Sequence, residues 1–195
     1  MNIDRLLSQL NMIAPLSESL TNRFREYLKM EVRPRRHLLL RAGDTAKKIY
    51  FINHGSARAF HYSKEGRENT TWFMGEGDLM ISVYSFYTQQ PAEEYIELLE
   101  QSELLSMTWH QLQSIYADHP EYNYIGRRVT EKYYIMAEER AIMLRTLTAK
   151  ERYERLISAY PAILQKALLG QIASFLGVSL ETLSRIRGHQ TTKPA

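Results

Sequence analysis

The spacing of apolar residues changes twice along the chain and divides it into three stretches. Before residue 31 the spacing is helical and predicts two helices, at residues 3–10 and 17–30. From about residue 37, short apolar runs alternate with turn residues such as Gly, Asp and Asn. After Trp109 the helical spacing returns and no strand pattern follows it. The predicted order is therefore helices, strands and helices.

The middle stretch predicts several short strands separated by turns. The predicted strands cover residues 37–41, 49–53, 56–62, 69–74, 79–86 and 95–108. Turn signals that recur every ~8–12 residues are typical of an antiparallel sandwich or barrel. Parallel β-α-β units are not expected, because no helical pattern separates these strands.

Residues 121–147 form one long helical stretch whose only glycine is Gly126. A stripe at spacings of three and four residues follows one of its faces: Val129, Tyr133, Met136, Arg140, Met143 and Leu147. We interpret this stripe as the seam of a dimer, because a helix of this length spans nearly 40 Å and exceeds what a small β domain needs. The alternative is that the stripe packs on the core of its own chain.

Composition and charge exclude several kinds of site and show where the basic residues lie along the chain. The 195 residues include no cysteine, which excludes disulfides, thiolate zinc sites and cysteine nucleophiles. Up to residue 119 there are 13 Lys/Arg and 15 Asp/Glu, a balance of −2, and the remainder has 12 and 7, a balance of +5. The basic excess therefore lies in the C-terminal part, where a polyanion would bind. The helices there are expected at residues 148–159 and 164–188, and residues 191–195 are expected to be a disordered tail.

Residues 169–187 have the features of a helix-turn-helix. Gly177 suits the left-handed conformation that ends a first short helix, Val178 can fill the turn, and Ser179 can cap a second helix. The side chains expected to face inward are Ile172, Ala173, Leu176, Leu183 and Ile186. The alternative is an ordinary helical hairpin with a surface Glu–Arg pair.

The outward side chains of this segment match what a DNA major groove requires. Arg185 can donate two hydrogen bonds to a guanine edge, and Glu181 can orient Arg185 or accept from cytosine N4. Thr182 and Ser179 can reach phosphates. The complete set assigned to DNA is Ser179, Glu181, Thr182, Ser184, Arg185 and Arg187, with Lys166 as a further phosphate contact.

The segment Ser-Leu-Glu-Thr-Leu-Ser-Arg at residues 179–185 resembles the recognition helix of the Crp/Fnr family of bacterial regulators. In that family the Glu and Arg matched here by Glu181 and Arg185 read bases, and the Ser and Thr matched by Ser179 and Thr182 contact phosphates. The turns at residues 42–44, at Gly55 and at residues 77–78 resemble those of the family's β domain.

The resemblance implies an α+β fold. It consists of an N-terminal double-stranded β-helix, jelly-roll-like and of cyclic-nucleotide-binding type, a long dimerisation helix, and an all-α helix-turn-helix domain. The expected boundaries are residues 1–119, 120–147 and 148–195. The β-wing that usually follows the recognition helix is not expected in this sequence.

Several positions depart from the family pattern. Members that bind cyclic AMP carry a Gly-Glu pair where Ile-Ser-Val stands at residues 81–83, and a phosphate-binding Arg near residues 90–94, which read Gln-Pro-Ala-Glu-Glu. Because Glu93 and Glu94 would repel a phosphate, cyclic AMP is not the expected effector. Leu180 replaces an Arg that several members carry.

An effector, if there is one, is expected among the aromatic residues near the family's ligand pocket. These candidates are Tyr84, Phe86, Tyr87 and Tyr95, which either line an apolar site or fill it, and filling is the preferred interpretation. Arg58 or Arg67 would be the substitute phosphate partner.

The predicted function is sequence-specific transcription regulation in the cytoplasm, without enzymatic activity. The expected partners are double-stranded DNA, a second copy of the chain, RNA polymerase, and an unidentified small-molecule effector or none; no membrane, cofactor or metal is expected. The competing hypotheses are a small-molecule-binding module whose helical tail contacts proteins, and an enzyme of the double-stranded β-helix type. The second of these needs a His/carboxylate metal cluster, and the six histidines lack the spacing for one.

Overall fold

The computed structural model describes residues 3–191, and in this range helices flank a β domain. The helices are α1 Asp4–Ile13, α2 Glu18–Tyr27, α3 Val83–Thr88, α4 Trp109–Asp118, α5 Pro120–Thr146, α6 Ala149–Ala159, α7 Ile163–Lys166, α8 Leu169–Leu176 and α9 Leu180–Thr191. The strands are β1 Lys29–Arg33, β2 Leu38–Leu40, β3 Lys48–His54, β4 Ala57–Tyr62, β5 Glu68–Met74, β6 Leu79–Met80, β7 Tyr95–Leu98 and β8 Ser102–Thr108. Of the tail expected to be disordered, Thr191 ends α9 and residues 192–195 lie outside the described part.

The strands form two four-stranded antiparallel sheets. Their orders are β1-β8-β3-β6 and β2-β7-β4-β5, so consecutive strands repeatedly cross from one sheet to the other. Apolar side chains from both sheets, from α1 and α2, and from α4 and the start of α5 share one buried cluster. This β-roll, followed by a long helix and C-terminal helices, confirms the expected α+β architecture.

Two local predictions were wrong. Residues 79–86 were predicted as a strand, but only Leu79–Met80 is extended and α3 begins at Val83. Their continuous apolar run resembled a buried strand, whereas α3 leaves Val83 exposed and buries Phe86. The second predicted helix is shorter than expected, because Leu28 adopts extended dihedral angles and the chain continues into β1.

The apolar stripe of α5 faces its own chain, so the preferred interpretation of it as a dimer seam was wrong. Val129 packs against the core of the β-roll. The Tyr133 hydroxyl accepts a hydrogen bond from the Leu79 amide at 2.7 Å, and Arg140 donates to the Phe175 carbonyl at 2.9 Å. The periodicity identified the inward face of the helix correctly, but a pattern along one chain does not tell which chain covers that face.

The C-terminal helices pack around a second buried cluster that includes two residues of the β-roll, Phe73 and Leu99. Helix α8 lies against β5, which is an edge strand of its sheet. The Thr70 amide donates to Ser174 Oγ at 3.0 Å, and the rings of Phe73 and Phe175 are 4.9 Å apart. The helix-turn-helix is therefore docked on the β-roll.

Two glycines with positive φ give a matched test of the β-roll turns. Gly55 and Gly43 have φ values of 111° and 93°. A Cβ at Gly55 would overlap Ser102 Oγ and lie 2.6 Å from Ser102 Cβ, whereas a Cβ at Gly43 would meet no atom within 4 Å.

We expect Gly43→Ala to lower the free energy of unfolding by about 1–2 kcal/mol. Gly55→Ala should lower it by roughly 1–3 kcal/mol more, because the overlap must be relieved. Urea unfolding of both variants measures this difference, and equal losses would contradict it.

Candidate nucleic-acid interface

The turn between α8 and α9 has the geometry that the sequence predicts. Gly177 adopts the left-handed conformation, with φ 65° and ψ 41°. The amides of Gly177 and Val178 donate to the carbonyls of Ser174 and Ala173, each at 3.0 Å, and so satisfy the end of α8. Leu183 of α9 is fully buried in the C-terminal cluster. The two helices therefore form a compact helix-turn-helix.

Ser179 caps helix α9. Its Oγ accepts a hydrogen bond from the Thr182 amide at 3.2 Å and donates to Thr182 Oγ1, also at 3.2 Å. Arg185 Nη2 donates to the same Thr182 oxygen at 3.3 Å. Three side chains thus connect the helix cap to the guanidinium. Thr182 orients Arg185, a role for which the sequence suggested Glu181.

Glu181, Ser184 and Arg185 are exposed on the outer face of α9, while Thr182 and Arg187 are half-buried. The pKa of Glu181 is lowered, first by its hydrogen bond with Ser179 and then by its own amide and the charge of Arg185. Glu181 is therefore an anion at neutral pH. The face presents a carboxylate, a hydroxyl and a guanidinium side by side.

Lys166, the remaining residue assigned to DNA, has an acidic partner in this structure. Its Nζ lies 2.6 Å from Glu100 Oε1, in the segment between β7 and β8. Ser56 also donates to this carboxylate, at 2.8 Å. A phosphate contact by Lys166 would require this ion pair to break.

The four aromatic residues proposed for an effector pocket do not converge on one site. Phe86 is fully buried in the β-roll core, whereas Tyr84 and Tyr87 are 62% and 50% exposed on the outer side of α3. Tyr95 stacks on Phe60, with the ring centroids 5.1 Å apart. Among these four residues, Phe86 and Tyr87 have their rings in edge-to-face contact, with the centroids 5.7 Å apart. Phe86 fills the interior and the three tyrosines point elsewhere.

Arg58, considered above as a substitute phosphate partner, is already neutralised. Its side chain is 2% exposed and donates to Glu97 at 2.8 and 2.7 Å and to Glu68 at 2.6 Å. The guanidinium also lies 4.0 Å from the centre of the Phe60 ring. A phosphate would have to displace two carboxylates, so Arg58 is not available to it. The other candidate, Arg67, is exposed next to a turn.

The role of Arg140 was not predicted from the sequence. Its guanidinium lies 3.7 Å from the centre of the Phe175 ring and donates to the Phe175 carbonyl. Burial lowers the pKa of Arg140 to about 10, so it remains charged at neutral pH. Its interruption of the apolar stripe was the only sign in the sequence. Arg140 ties α5 to the end of α8 and holds the helix-turn-helix against the long helix.

The described residues contain neither a candidate metal cluster nor a candidate membrane span. Residues 3–191 contain no group of three or more His, Cys, Asp or Glu side chains placed to hold a metal ion. No helix in the same range is long and apolar enough to cross a membrane.

The chain consists of a β-roll, a long helix and a helix-turn-helix, and known proteins resemble it in sequence and in this order of elements. Residues 31–119 match the family model described as cyclic nucleotide-binding domain. The Anaerobic regulatory protein of Haemophilus influenzae is 25% identical over 162 residues, which are 77% of this chain and 62% of that protein. The protein of the same name from Pasteurella multocida is also 25% identical. The chain thus spans about three fifths of the length of these relatives, 62% and 59%.

Solved structures extend the comparison over most of the chain. The global regulator CLP of Xanthomonas campestris, described as responsive to c-di-GMP, has a TM-score of 0.70 at 19% identity and covers 90% of this chain and 92% of its own. A transcriptional regulator of the Crp/Fnr family from Eubacterium rectale has a TM-score of 0.69 at 17% identity, with 92% and 88% covered. The chain therefore shares the fold of these regulators.

Binding of cyclic AMP tests whether the β-roll retains a nucleotide site. We expect no binding at micromolar concentrations, because Phe86 occupies the interior, Arg58 is paired with carboxylates, and residues 90–94 provide no cation. Isothermal titration calorimetry should show only heat of dilution. A saturable isotherm with a micromolar Kd would contradict this account of the roll.

Proposed function

We propose that this protein is a sequence-specific, DNA-binding transcription regulator of Crp/Fnr type, with α9 as the helix that enters the major groove. The observation that supports this most strongly is the Ser179–Thr182–Arg185 network, which orders a guanidinium on an exposed helix face. The names of the relatives, regulatory proteins and transcriptional regulators, point the same way. The proposal includes no enzymatic activity, and it locates the protein with the genomic DNA in the cytoplasm.

Each exposed side chain has a role in this proposal. Arg185 donates to O6 and N7 of a guanine, and Glu181 accepts from the N4 amino group of a cytosine. Ser184 contacts a base edge or a phosphate, and Arg187 contacts phosphate. Thr182 serves mainly to hold Arg185, since its hydroxyl is already part of the network. Lys166 joins the phosphate contacts only if DNA displaces Glu100.

We also propose that the regulator is a homodimer and that the outer face of α5 forms its interface. Ile135 and Ile142 are seven residues apart on that face and are 56% and 50% exposed, and Tyr134 beside them is 71% exposed. A spacing of seven residues is the repeat by which two helices pack along a seam. RNA polymerase and a small-molecule effector other than cyclic AMP are the further partners that the resemblance implies.

Base readout can be tested at Arg185. We expect Arg185→Ala to weaken binding to a selected operator by about 1–3 kcal/mol and to relax the preference at one base pair per half-site. Arg187→Ala is the matched control: it should weaken binding to all sequences alike and lower the salt slope by about one. Selection from random DNA with each variant, followed by anisotropy titrations, measures both effects. An unchanged consensus for Arg185→Ala would show that α9 is not the reading helix.

The dimer can be tested on the two faces of α5. Ile135→Glu and Ile142→Glu should convert a dimer, about twice the 22.9 kDa chain mass, into a monomer, because each would bury an unpaired charge in the interface. Met143→Glu lies on the inward face and should instead destabilise the packing of α5 on its own chain. Sedimentation equilibrium and thermal unfolding separate these outcomes. A dimer unaffected by both Ile variants would rule out this face.

A further inference from the structure

A groove runs between α1 and α5 on the outside of the β-roll. It has a volume of about 540 Å³, a size typical of sites for small ligands. Leu6 and Leu10 of α1 are buried in its floor, and Leu79 and Val129 are half-buried beside them. None of the residues assigned to DNA or to the effector pocket lines this groove. The proposed DNA-binding function therefore does not account for it.

One end of the groove is apolar. Ser17 follows α1 and donates to Glu121 Oε1 in the first turn of α5 at 2.9 Å, so the C-terminal end of α1 lies beside the start of α5. Met12 and Tyr124 line the groove at this end and are 79% and 48% exposed. Exposed apolar side chains with a polar rim are typical of a surface that binds a ligand or partner.

An ammonium and an amide line the other end. Lys132 lies eight residues after Tyr124, about 12 Å further along α5, and Gln9 of α1 lines the same groove. Lys132 is exposed, and its Nζ lies 5.5 Å from the centre of the Tyr133 ring. Within residues 3–191 it has no carboxylate within 4.0 Å. Its charge is therefore available to a ligand.

The charges around the groove favour an anion. Arg128, the second cation that lines it, lies one turn before Lys132, and no Asp or Glu of the described residues lines it. Glu131 is shared by Arg127 and Arg128, at 2.8 and 2.6 Å, so it stays paired when Arg128 turns to a ligand. Asp78, which the Lys132 charge also reaches, accepts a backbone amide at 2.9 Å. A monoanion with an apolar chain would satisfy both ends of the groove.

We propose that the groove between α1 and α5 binds an anionic amphiphile with one acyl chain, of the class of the medium-chain fatty acids. The carboxylate pairs with Lys132 and accepts from the Gln9 amide. The chain extends past Arg128 to Met12 and Tyr124, and the span of about 12 Å between Lys132 and Tyr124 limits its length. This site goes beyond the proposed regulation of transcription and uses none of the residues proposed for it.

Calorimetric titration of the whole chain with decanoate, kept below the concentration at which it forms micelles, tests the site. We expect saturable binding of one decanoate per chain. Octanoate should bind about tenfold more weakly, because two fewer CH₂ groups are buried. Decyltrimethylammonium has the same chain and the opposite charge and should not bind saturably. If it binds as tightly as decanoate, the groove does not select an anion and the proposal is wrong.

Two exposed positions test the head group and the chain separately. Lys132→Met removes the charge and should weaken decanoate binding about three- to fivefold, whereas Lys132→Arg should retain it. Met12→Glu places a carboxylate at the apolar end and should weaken binding by about tenfold or more, and Glu is as compatible with a helix as Met. Lys150→Met is the matched control, an exposed lysine of α6 outside the groove, and should leave binding unchanged.

Circular dichroism of each variant checks that the helices are retained. Decanoate binding that is unaffected by both Lys132→Met and Met12→Glu would place the ligand elsewhere and overturn the proposal.

A second copy of the chain is the alternative occupant, because Arg128 lies seven residues before Ile135 on the face proposed for the dimer. Sedimentation equilibrium of Met12→Glu separates the two. A dimer that persists in this variant while decanoate binding is lost supports the proposal. If the wild-type chain does not bind decanoate, the proposal fails, and dissociation of the dimer by Met12→Glu would then identify the groove as an interface between copies.

Discussion

The packing of α8 against β5 is the contact on which the arrangement of the two halves depends. An edge strand exposes unpaired backbone groups that a partner must cover. Here Ser174 accepts the hydrogen bond of the Thr70 amide, and Phe175 packs on Phe73. Because α9 packs on α8 through Leu183, the orientation of α9 is set by a strand of the β-roll. A change in the position of β5 would therefore reach the proposed DNA-binding face through α8.

The junction between β5, α8 and α5 combines apolar packing with charged groups. The Arg140 guanidinium lies between α5 and α8 without a carboxylate within 4.0 Å among the described residues, and its Nη1 atom is buried without a hydrogen-bond partner. A buried charge of this kind is costly unless it is paired. The aromatic contact with Phe175 and the hydrogen bond to the Phe175 carbonyl offset part of that cost.

The sequence was sufficient where structure is determined by local chemistry. A glycine at the end of α8 and a serine at the start of α9 determine the turn by themselves, and so the helix-turn-helix was predicted in detail. Most strands were predicted because turn residues mark their ends. Contacts between distant segments were not predictable: the stripe from Val129 to Met143 shows which side of α5 is covered but not by what. The pairing of Lys166 with Glu100 likewise has no counterpart in the local sequence.

Three arginines differ in how far their donors are already used, and this difference bears on the proposed DNA-binding face. Arg58 is enclosed by Glu97, Glu68 and Thr70, so its donors are used within the β-roll. Arg140 is enclosed by Phe175 and serves the junction. Arg185 is exposed and donates a hydrogen bond to a threonine hydroxyl, which orients the guanidinium without neutralising it. A guanidinium can recognise a base only if it is held in place and still has donors to offer. Of these three, Arg185 alone meets both conditions.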